Sequence, residues 1–465
     1  MSGSAILKSA ALVSLGSLLV QIGGLAGQFV YAVWLSPVDF GNWATASASM
    51  AVLGALVNAG EANAYLAGDR LVVRRSALRR TFRMNAALLV VGLVIGFGYL
   101  MVGDATVALL IGVIALDLPF QGRSAMYVAE FIKARRQGQL IVAQVIATLV
   151  RVSVGICVAA LVGSSLALGL AMLANSIVMV AVGYLLGVKR GEGGGEAFSE
   201  AGPSLRFRAQ LALHQVSQVL PSQVDYMVVA AAASPALLGA YFVSYQATGA
   251  ISGVLAGPLS KATMSELQRV PPAERSGATF RVVLIVTSGM GLVAAALGVV
   301  VSQGMWLLPA KWADVGMPLT VLLASLPARF MTPLSEALNM VRSRWRRSTG
   351  INVIDTAGTA LASLVALSGN IVYLAIAITV WKLVFGMARV LVALEGLRRP
   401  ALGGIVLPAL LGVLGTVFSV LRFGELHWGI ALGIGIIHLC QLTLVLVAGR
   451  ERRLLSDKTA EHSGQ

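Results

Sequence analysis

Charge is what this chain has least of. Asp, Glu, Lys and Arg make up 12% of its 465 residues, about half the share of an ordinary soluble protein. A water-facing surface of matching size cannot be built from so few. The only two cysteines, Cys157 and Cys440, both lie in apolar runs, so no disulfide framework is expected and both read as free thiols. Histidine is scarce too, with four residues. No His/Cys/carboxylate cluster suggests a metal site, and no Walker A pattern suggests an ATP site. No cofactor is expected.

What the chain has in abundance is apolar sequence. Hydrophobic residues make up 57% of it, and its mean hydropathy is +0.84. One transmembrane helix takes about 20 apolar residues, so the supply suits a dozen or more spans. Nothing of domain size remains for the aqueous phases. With no strand-like alternation, the spans must be helices, which satisfy every backbone group internally. The chain therefore reads as an all-α polytopic membrane protein.

Fourteen stretches bounded by charge, Gly or Pro read as spans. The first six are 10–35, 41–66, 84–102, 106–131, 140–162 and 166–188. The next six are 211–233, 239–260, 282–304, 316–340, 349–369 and 371–394, and a final pair lies at 402–421 and 429–449. The run from Ala10 to Leu35 is longer than the roughly 7–15-residue apolar core of a signal peptide, so it reads as a retained first span.

The net charge of +15 raises the question of a nucleic-acid partner, and its distribution answers it. With the N-terminus inside, inner segments carry 28 of the 35 Lys and Arg residues, and outer loops carry only Lys311 and Arg422. That bias is a strong positive-inside signal. It predicts both termini on the cytoplasmic side of a cell (inner) membrane and no nucleic acid as partner. The longest connection, 189–210, is Gly-rich and polar and reads as a linker. It separates an N-terminal lobe (1–188) from a C-terminal lobe (211–400), followed by peripheral spans and a tail (401–465).

An internal repeat supports the two lobes. SPVDFGNW (Ser36–Trp43) follows the first span and SPALLGAY (Ser234–Tyr241) the seventh, 198 residues later. Both occupy equivalent topological places, so the six-helix halves read as parallel repeats. Such halves commonly enclose a substrate site near the membrane midplane.

Polar stripes run along the first span of each half. Ser14, Ser17, Gln21 and Gln28 share one narrow face, and His214, Gln218, Ser222 and Asp225 are confined to one side of theirs. Each stripe must face protein or water rather than lipid. Helix–helix hydrogen bonding is the plain alternative to a shared cavity. Pro221, within the second stripe, predicts a bend.

Five bases fall within spans: Arg123, Arg151, Arg329, Lys382 and Arg389. A base or acid at a helix centre costs roughly 2.5–3.5 kcal/mol on insertion scales. The midplane group, Asp117, Arg151, Arg329 and Lys382, sums to +2, matching a doubly charged anion such as a diphosphate. Arg123 and Arg389 lie nearer the inner face and can snorkel. Arg123 with Glu130, Arg329 with Glu336 and Lys382 with Arg389 are each seven residues apart on one helical face. Six intramembrane acids (Glu61, Asp117, Glu130, Asp225, Glu336, Asp355) stand against the five bases, so internal ion pairs are the competing explanation. Asp225 and Asp117 are the candidates for coupling an ion or proton. His214 reads as an interfacial polar group and His438 as a packing residue.

These residues resemble a family. The first span followed by LSPVDFGNW is similar to the opening of polysaccharide biosynthesis flippases, oligosaccharide-lipid transporters of the multidrug/oligosaccharidyl-lipid/polysaccharide exporter superfamily. Asp225 ahead of SPALLGAYFVSYQ, WLLPAKW (Trp306–Trp312) and the basic VRSRWRR are similar to it as well. The resemblance covers the chain from about residue 5 to 450. It implies two six-helix lobes plus two peripheral helices, with the first and seventh spans lining a central cavity. It also implies an undecaprenyl-diphosphate-linked oligosaccharide as substrate, membrane lipids as surroundings, and polysaccharide polymerase and export proteins as partners. KATMSELQR after the eighth span departs from the family by lacking a Phe-Pro pair there, which bears on loop shape.

A small-molecule or drug antiporter of the same superfamily is the nearest alternative, favoured by central acids and few bases. A membrane glycosyltransferase or polymerase would need a substantial outer loop or paired acids. Here the outer loops are short, with Asp39, Asp104, Asp314 and Glu425 scattered singly, so no enzyme is expected. Monomer is the default, since duplicated halves already enclose a cavity.

Overall fold

A computed structural model of the protein describes residues 20, 23–24, 26–59, 74–134, 136–186, 205–304, 309–342, 344–394, 397 and 401–443. Among these residues there are helices, turns and no strand. Each of the fourteen expected spans meets a helix. In chain order they are α1 (26–34), α2 (Pro37–Ala59), α3 (Arg74–Met101), α4 (Ala105–Lys133), α5 (Gln137–Val162) and α6 (Leu166–Leu186). The seventh span is α7 (Leu205–Val219) with α8 (Val224–Ala232), and the eighth is α9 (Pro235–Arg269). Then come α10 (Arg275–Gly304), α11 (Gly316–Leu323) with α12 (Leu326–Val341), α13 (Trp345–Ser363) and α14 (Ile371–Ala393). The last pair is α15 (Leu407–Phe423) and α16 (Trp428–Thr443). Among the described residues nine helices are long and apolar enough to cross a membrane, and the bent pair α11–α12 makes a tenth. The protein is a multi-pass membrane protein.

Local chemistry sets the helix ends. Ser36 and Asp39 form a reciprocal capping box: the Asp39 N–H donates to Ser36 Oγ at 3.3 Å, and the Ser36 N–H donates to Asp39 Oδ2 at 2.9 Å. The second span therefore starts at Pro37 rather than near 41. Asp104 caps α4 by accepting from the Val107 N–H at 3.0 Å. Gly163, at φ +62°, and Gly424, at φ +75°, close α5 and α15 in the left-handed conformation that glycine adopts freely. The eighth span runs well beyond the expected 239–260, carrying Lys261, Glu266 and Arg269 on its last turns.

Two spans are broken, each at a proline. In the seventh, a 3-10 turn over Leu220–Ser222 separates α7 from α8, with Pro221 buried in it. The bend expected there is a break. The tenth span was expected to be continuous. Instead α11 and α12 meet at an angle of 47°, because Pro327 in the first turn of α12 has no N–H to continue the preceding helix.

The chain divides into two compact units. One comprises residues 1–242 with 352–360, and so takes in the seventh span; the other comprises 243–351 with 361–465. In the first, Ala46, Met50, Leu53 and Val57 form one stripe of α2 against Val107, Leu110, Ile111 and Ile114 of α4. In the second, Val283 and Leu284 of α10 pack with Met331, Leu334 and Leu338 of α12, Leu383 and Val390 of α14 and Val413 of α15. The 189–210 linker falls mostly outside the described residues, as do Ser14, Ser17, Gln21 and Glu61.

Candidate functional site

The duplicated motif comes together at one place. Within the first unit the starts of α2 and α9 cross, and the motif glycines meet at the crossing. A side chain on Gly41 would collide with the carbonyl of Pro235, and one on Gly239 with the carbonyl of Pro37. Each copy's glycine thus packs on the other copy's proline. Phe40 and Phe242 follow on the two helices with ring centroids 6.2 Å apart.

Each helix start is also tied to its own neighbours. Asp39 accepts from the Ser165 N–H at 3.1 Å, which fastens the α5–α6 turn to α2. Asp225, fully buried, accepts from the Tyr241 hydroxyl at 2.7 Å and from the Tyr226 N–H at 2.9 Å. The second copy has Leu237 where the first has Asp39, so its Ser234 makes only a single cap, accepting from the Leu237 N–H at 3.3 Å. The seventh-span stripe is divided by the break at Pro221. Asp225 points into the packed side of α8, whereas Gln218 is exposed and hydrogen-bonds His214 at 3.1 Å.

Also in the first unit, α1 lies against α5. The Tyr31 hydroxyl donates to the Arg151 carbonyl at 3.1 Å. The Arg151 guanidinium lies beside Gly24, its Nη1 3.9 Å from where a Cβ would stand, an ordinary contact distance. Gln28, half-buried, lies on the same helix. Asp117 is fully buried on α4, accepts from Gln121 Nε2 at 2.6 Å, and is within electrostatic reach of Arg151. Arg123 lies 5.4 Å over the Tyr127 ring and donates to its hydroxyl at 3.4 Å.

The second unit carries a column of charge along the α12–α14 seam. The helices approach so closely that Gly386 has no room for a side chain against the Ala328 carbonyl. Arg329 follows Ala328, and Lys382 lies one helical turn before Gly386, so both flank the crossing. The Arg329 guanidinium sits 4.3 Å over the Tyr245 ring and donates through Nε to Ser325 Oγ at 3.0 Å. Its Nη2 is buried with no hydrogen-bond partner among the described residues. Two turns farther along, Arg389 Nη2 is 3.6 Å from Glu336 Oε2 and donates to Ser348 Oγ at 3.3 Å. Ser348 in turn donates to Glu336 Oε1 at 3.1 Å. A buried ion pair stays charged only when its remaining hydrogen-bonding capacity is met, and the Ser348 hydroxyl supplies part of that. Arg389 is thus paired with a carboxylate; both arginines hold a buried donor that meets no hydrogen-bond acceptor among the described residues, Nη2 in Arg329 and Nε in Arg389.

Sequence reasoning did not single out Tyr245 as the ring under Arg329. It also passed over Asn352, which is buried and donates to Ser217 Oγ at 3.5 Å beside the stripe of α7, with buried Asp355 one turn along α13. The signal was there as polar residues i and i+3 on an otherwise apolar span. His438 is buried as a packing residue: its ring fills the space left by Gly291, and Nδ1 meets Gln441 Oε1 at 3.1 Å. Among the described residues no group of three or more His, Cys, Asp and Glu is placed to hold a metal.

A family described as polysaccharide biosynthesis protein matches residues 30–307. Among solved structures, the lipid II flippase MurJ in an inward closed conformation is similar over 96% of this chain and 100% of its own, with TM-score 0.69 and 10% identity. A MOP superfamily transporter from Pyrococcus furiosus is similar over 85% of this chain and 96% of its own, with TM-score 0.56 and 14% identity. A multidrug resistance MATE family transporter of the MOP superfamily, outward-facing, gives 83%, 94%, 0.55 and 14%. At these identities the likeness is one of fold. No curated protein sequence matches the chain.

Proposed function

Because the chain belongs to the polysaccharide biosynthesis protein family, we propose that it flips undecaprenyl-diphosphate-linked oligosaccharide repeat units across the cell membrane for export of a surface polysaccharide. The chemical problem is the head group. A diphosphate with two negative charges, carrying hydrated sugars, meets a prohibitive desolvation cost in hydrocarbon, while the polyprenyl tail can stay in lipid. A transporter removes that cost with cations fixed at membrane depth and polar groups for the sugars, exposed alternately to the two sides.

The observation that carries the reading is Arg329: a guanidinium at membrane depth, oriented by Tyr245 and Ser325, with a buried donor left unmet. A forked guanidinium suits a phosphate oxygen better than an ammonium does. In this reading Arg329, Lys382 and Arg151 meet the diphosphate. Arg123 and Arg389 stand nearer the inner end, where Arg389 is held by Glu336. Gln21, Gln28 and Gln218 bind sugar hydroxyls. Asp225 and Asp117 are the groups through which an ion or proton couples to the cycle. The inner membrane is the location, with both termini cytoplasmic, and the polymerase and export proteins act on what is delivered. The chemistry is transport without bond making, so no enzyme activity is assigned.

The test is to neutralise Arg151, Arg329 and Lys382 singly to Gln. Export should fall while folded protein remains in the membrane at matched levels. Normal export by all three would end the anion-site assignment. Export of drugs or small metabolites in place of lipid-linked sugar would select the antiporter reading.

A further inference from the structure

We infer that the break of the tenth span carries a binding site for one Na+ ion, built from neutral acceptors of α11, α15 and α16. The site is independent of which molecule the protein carries.

Its frame is a small cavity in the second unit, with room for about one water molecule. The cavity lies between α10, the α11–α12 break and the last pair of helices, and Thr320, Thr416 and His438 are its polar lining. Small and apolar residues make up the rest, with no charged side chain among them.

What those three groups can offer is set by the bonds they already make. Thr320 Oγ1 donates to the Gly316 carbonyl and Thr416 Oγ1 to the Gly412 carbonyl, each at 2.9 Å. Both hydroxyl protons are thus used within their own helices, and oxygen lone pairs remain. His438 is fixed by a chain of bonds from the backbone. Gln441 Nε2 donates to the Gly404 carbonyl, which turns Gln441 Oε1 toward His438 Nδ1, 3.1 Å away. An amide oxygen only accepts, so the ring proton is on Nδ1 and Nε2 carries a lone pair. Nε2 lies beside Gly291 and Gly412, both on the cavity wall. Metal-ligating histidines are held in the same way, by a partner that fixes the tautomer through the other ring nitrogen.

The break supplies a fourth acceptor. The last turn of α11 closes with the Ala324 N–H donating to the Val321 carbonyl and the Ser325 N–H to the Leu322 carbonyl. In a continuous helix the next carbonyl, that of Leu323, would meet the N–H of residue 327. Pro327, which lines the cavity, has none. The negative end of the α11 dipole falls at the same place.

Acceptors without a matching donor select the occupant. A water molecule there would leave its own lone pairs unmet, whereas a cation satisfies every acceptor. One imidazole nitrogen and three neutral oxygens, with no carboxylate, suit a single positive charge rather than calcium or zinc. The size suits Na+. Half-helix C-terminal ends and unwound carbonyls coordinate Na+ in transporters built on discontinuous helices. Arg329 lies two residues beyond Pro327, so an ion held at the break also steadies the helix start that presents Arg329. That consequence alone rests on the function proposed above.

The test titrates the full chain, purified in detergent, with radiolabelled Na+ while choline chloride holds the ionic strength. Binding should saturate. Thr320→Val and Thr416→Val keep the shape and lose a lone pair, and Gln441→Leu releases the His438 ring; each should weaken Na+ binding about tenfold or more. Thr443→Val removes a hydroxyl from the exposed face of α16 and should leave binding at the parent level. Absence of saturable binding overturns the site, as does equal binding by the parent and the folded cavity variants. If those variants do not fold, NMR of the parent protein carrying isotope-labelled histidine replaces them. Na+ should then shift one Nε2 resonance among the four histidines, with its Nδ1 proton retained, and choline should shift none. Four unmoved resonances overturn the site. Neither measurement involves a transported molecule, so failure of the flippase reading leaves both results standing.

Discussion

Arg329 shows how a membrane protein keeps a charge at depth. The Tyr245 ring receives its face, the Ser325 hydroxyl receives Nε, and Nη2 is left with a donor to offer. Arg329→Lys retains the charge but loses the fork and the planar stacking, whereas Arg329→Gln loses the charge. Truncating one side of a desolvated charged contact costs about 2–5 kcal/mol. Export by Arg329→Gln should therefore drop at least about tenfold, with Arg329→Lys between it and the parent, as measured by surface glycan per unit of folded transporter. Equal export by the two variants would mean that charge alone matters there. Glu336 makes the opposite prediction. Glu336→Ala leaves Arg389 buried without its carboxylate, a change that typically destabilises by about 3–5 kcal/mol. Detergent-solubilised protein should melt earlier, and the double change Glu336→Ala/Arg389→Leu should recover part of the loss.

At the scale of elements, prolines and caps decide where helices begin and break. The Ser36–Asp39 box both starts α2 and ties it to Ser165, whereas Ser234 gives α9 a single cap bond. Each change should cost about 1 kcal/mol for a lost cap, and Asp39→Ala should lower thermal stability further than Ser234→Ala by the lost bond to Ser165. A melt of equal depth for both would show that the tie to Ser165 carries nothing. The break of the seventh span was legible in Pro221. That of the tenth is written equally plainly in Leu326–Pro327, where a residue without an N–H interrupts the 316–340 stretch. Spacing along one helix also put Arg329 and Glu336 on a common face. It had no means of naming Arg389 as the partner of Glu336, because that contact is made between α12 and α14.

For the whole molecule, hydropathy was enough to read an all-α polytopic membrane protein, because lipid forces helices and leaves few alternatives. The repeat was legible as two Ser-Pro turns; that their glycines interlock was not, since one sequence carries no distances. The site was legible only in its ingredients. Buried bases announce themselves by their cost, while the Tyr245 ring and the Ser348 bridge depend on packing. Movement of a lipid-linked sugar to the outer leaflet is tested most directly by deleting the gene in its host and analysing surface glycans together with membrane lipids. A flippase predicts loss of one surface glycan, with its undecaprenyl-diphosphate-linked repeat unit accumulating on the inner leaflet and cleared when the parent gene is restored. Unchanged glycans and unchanged lipid intermediates, in a strain with no second flippase active, would contradict it.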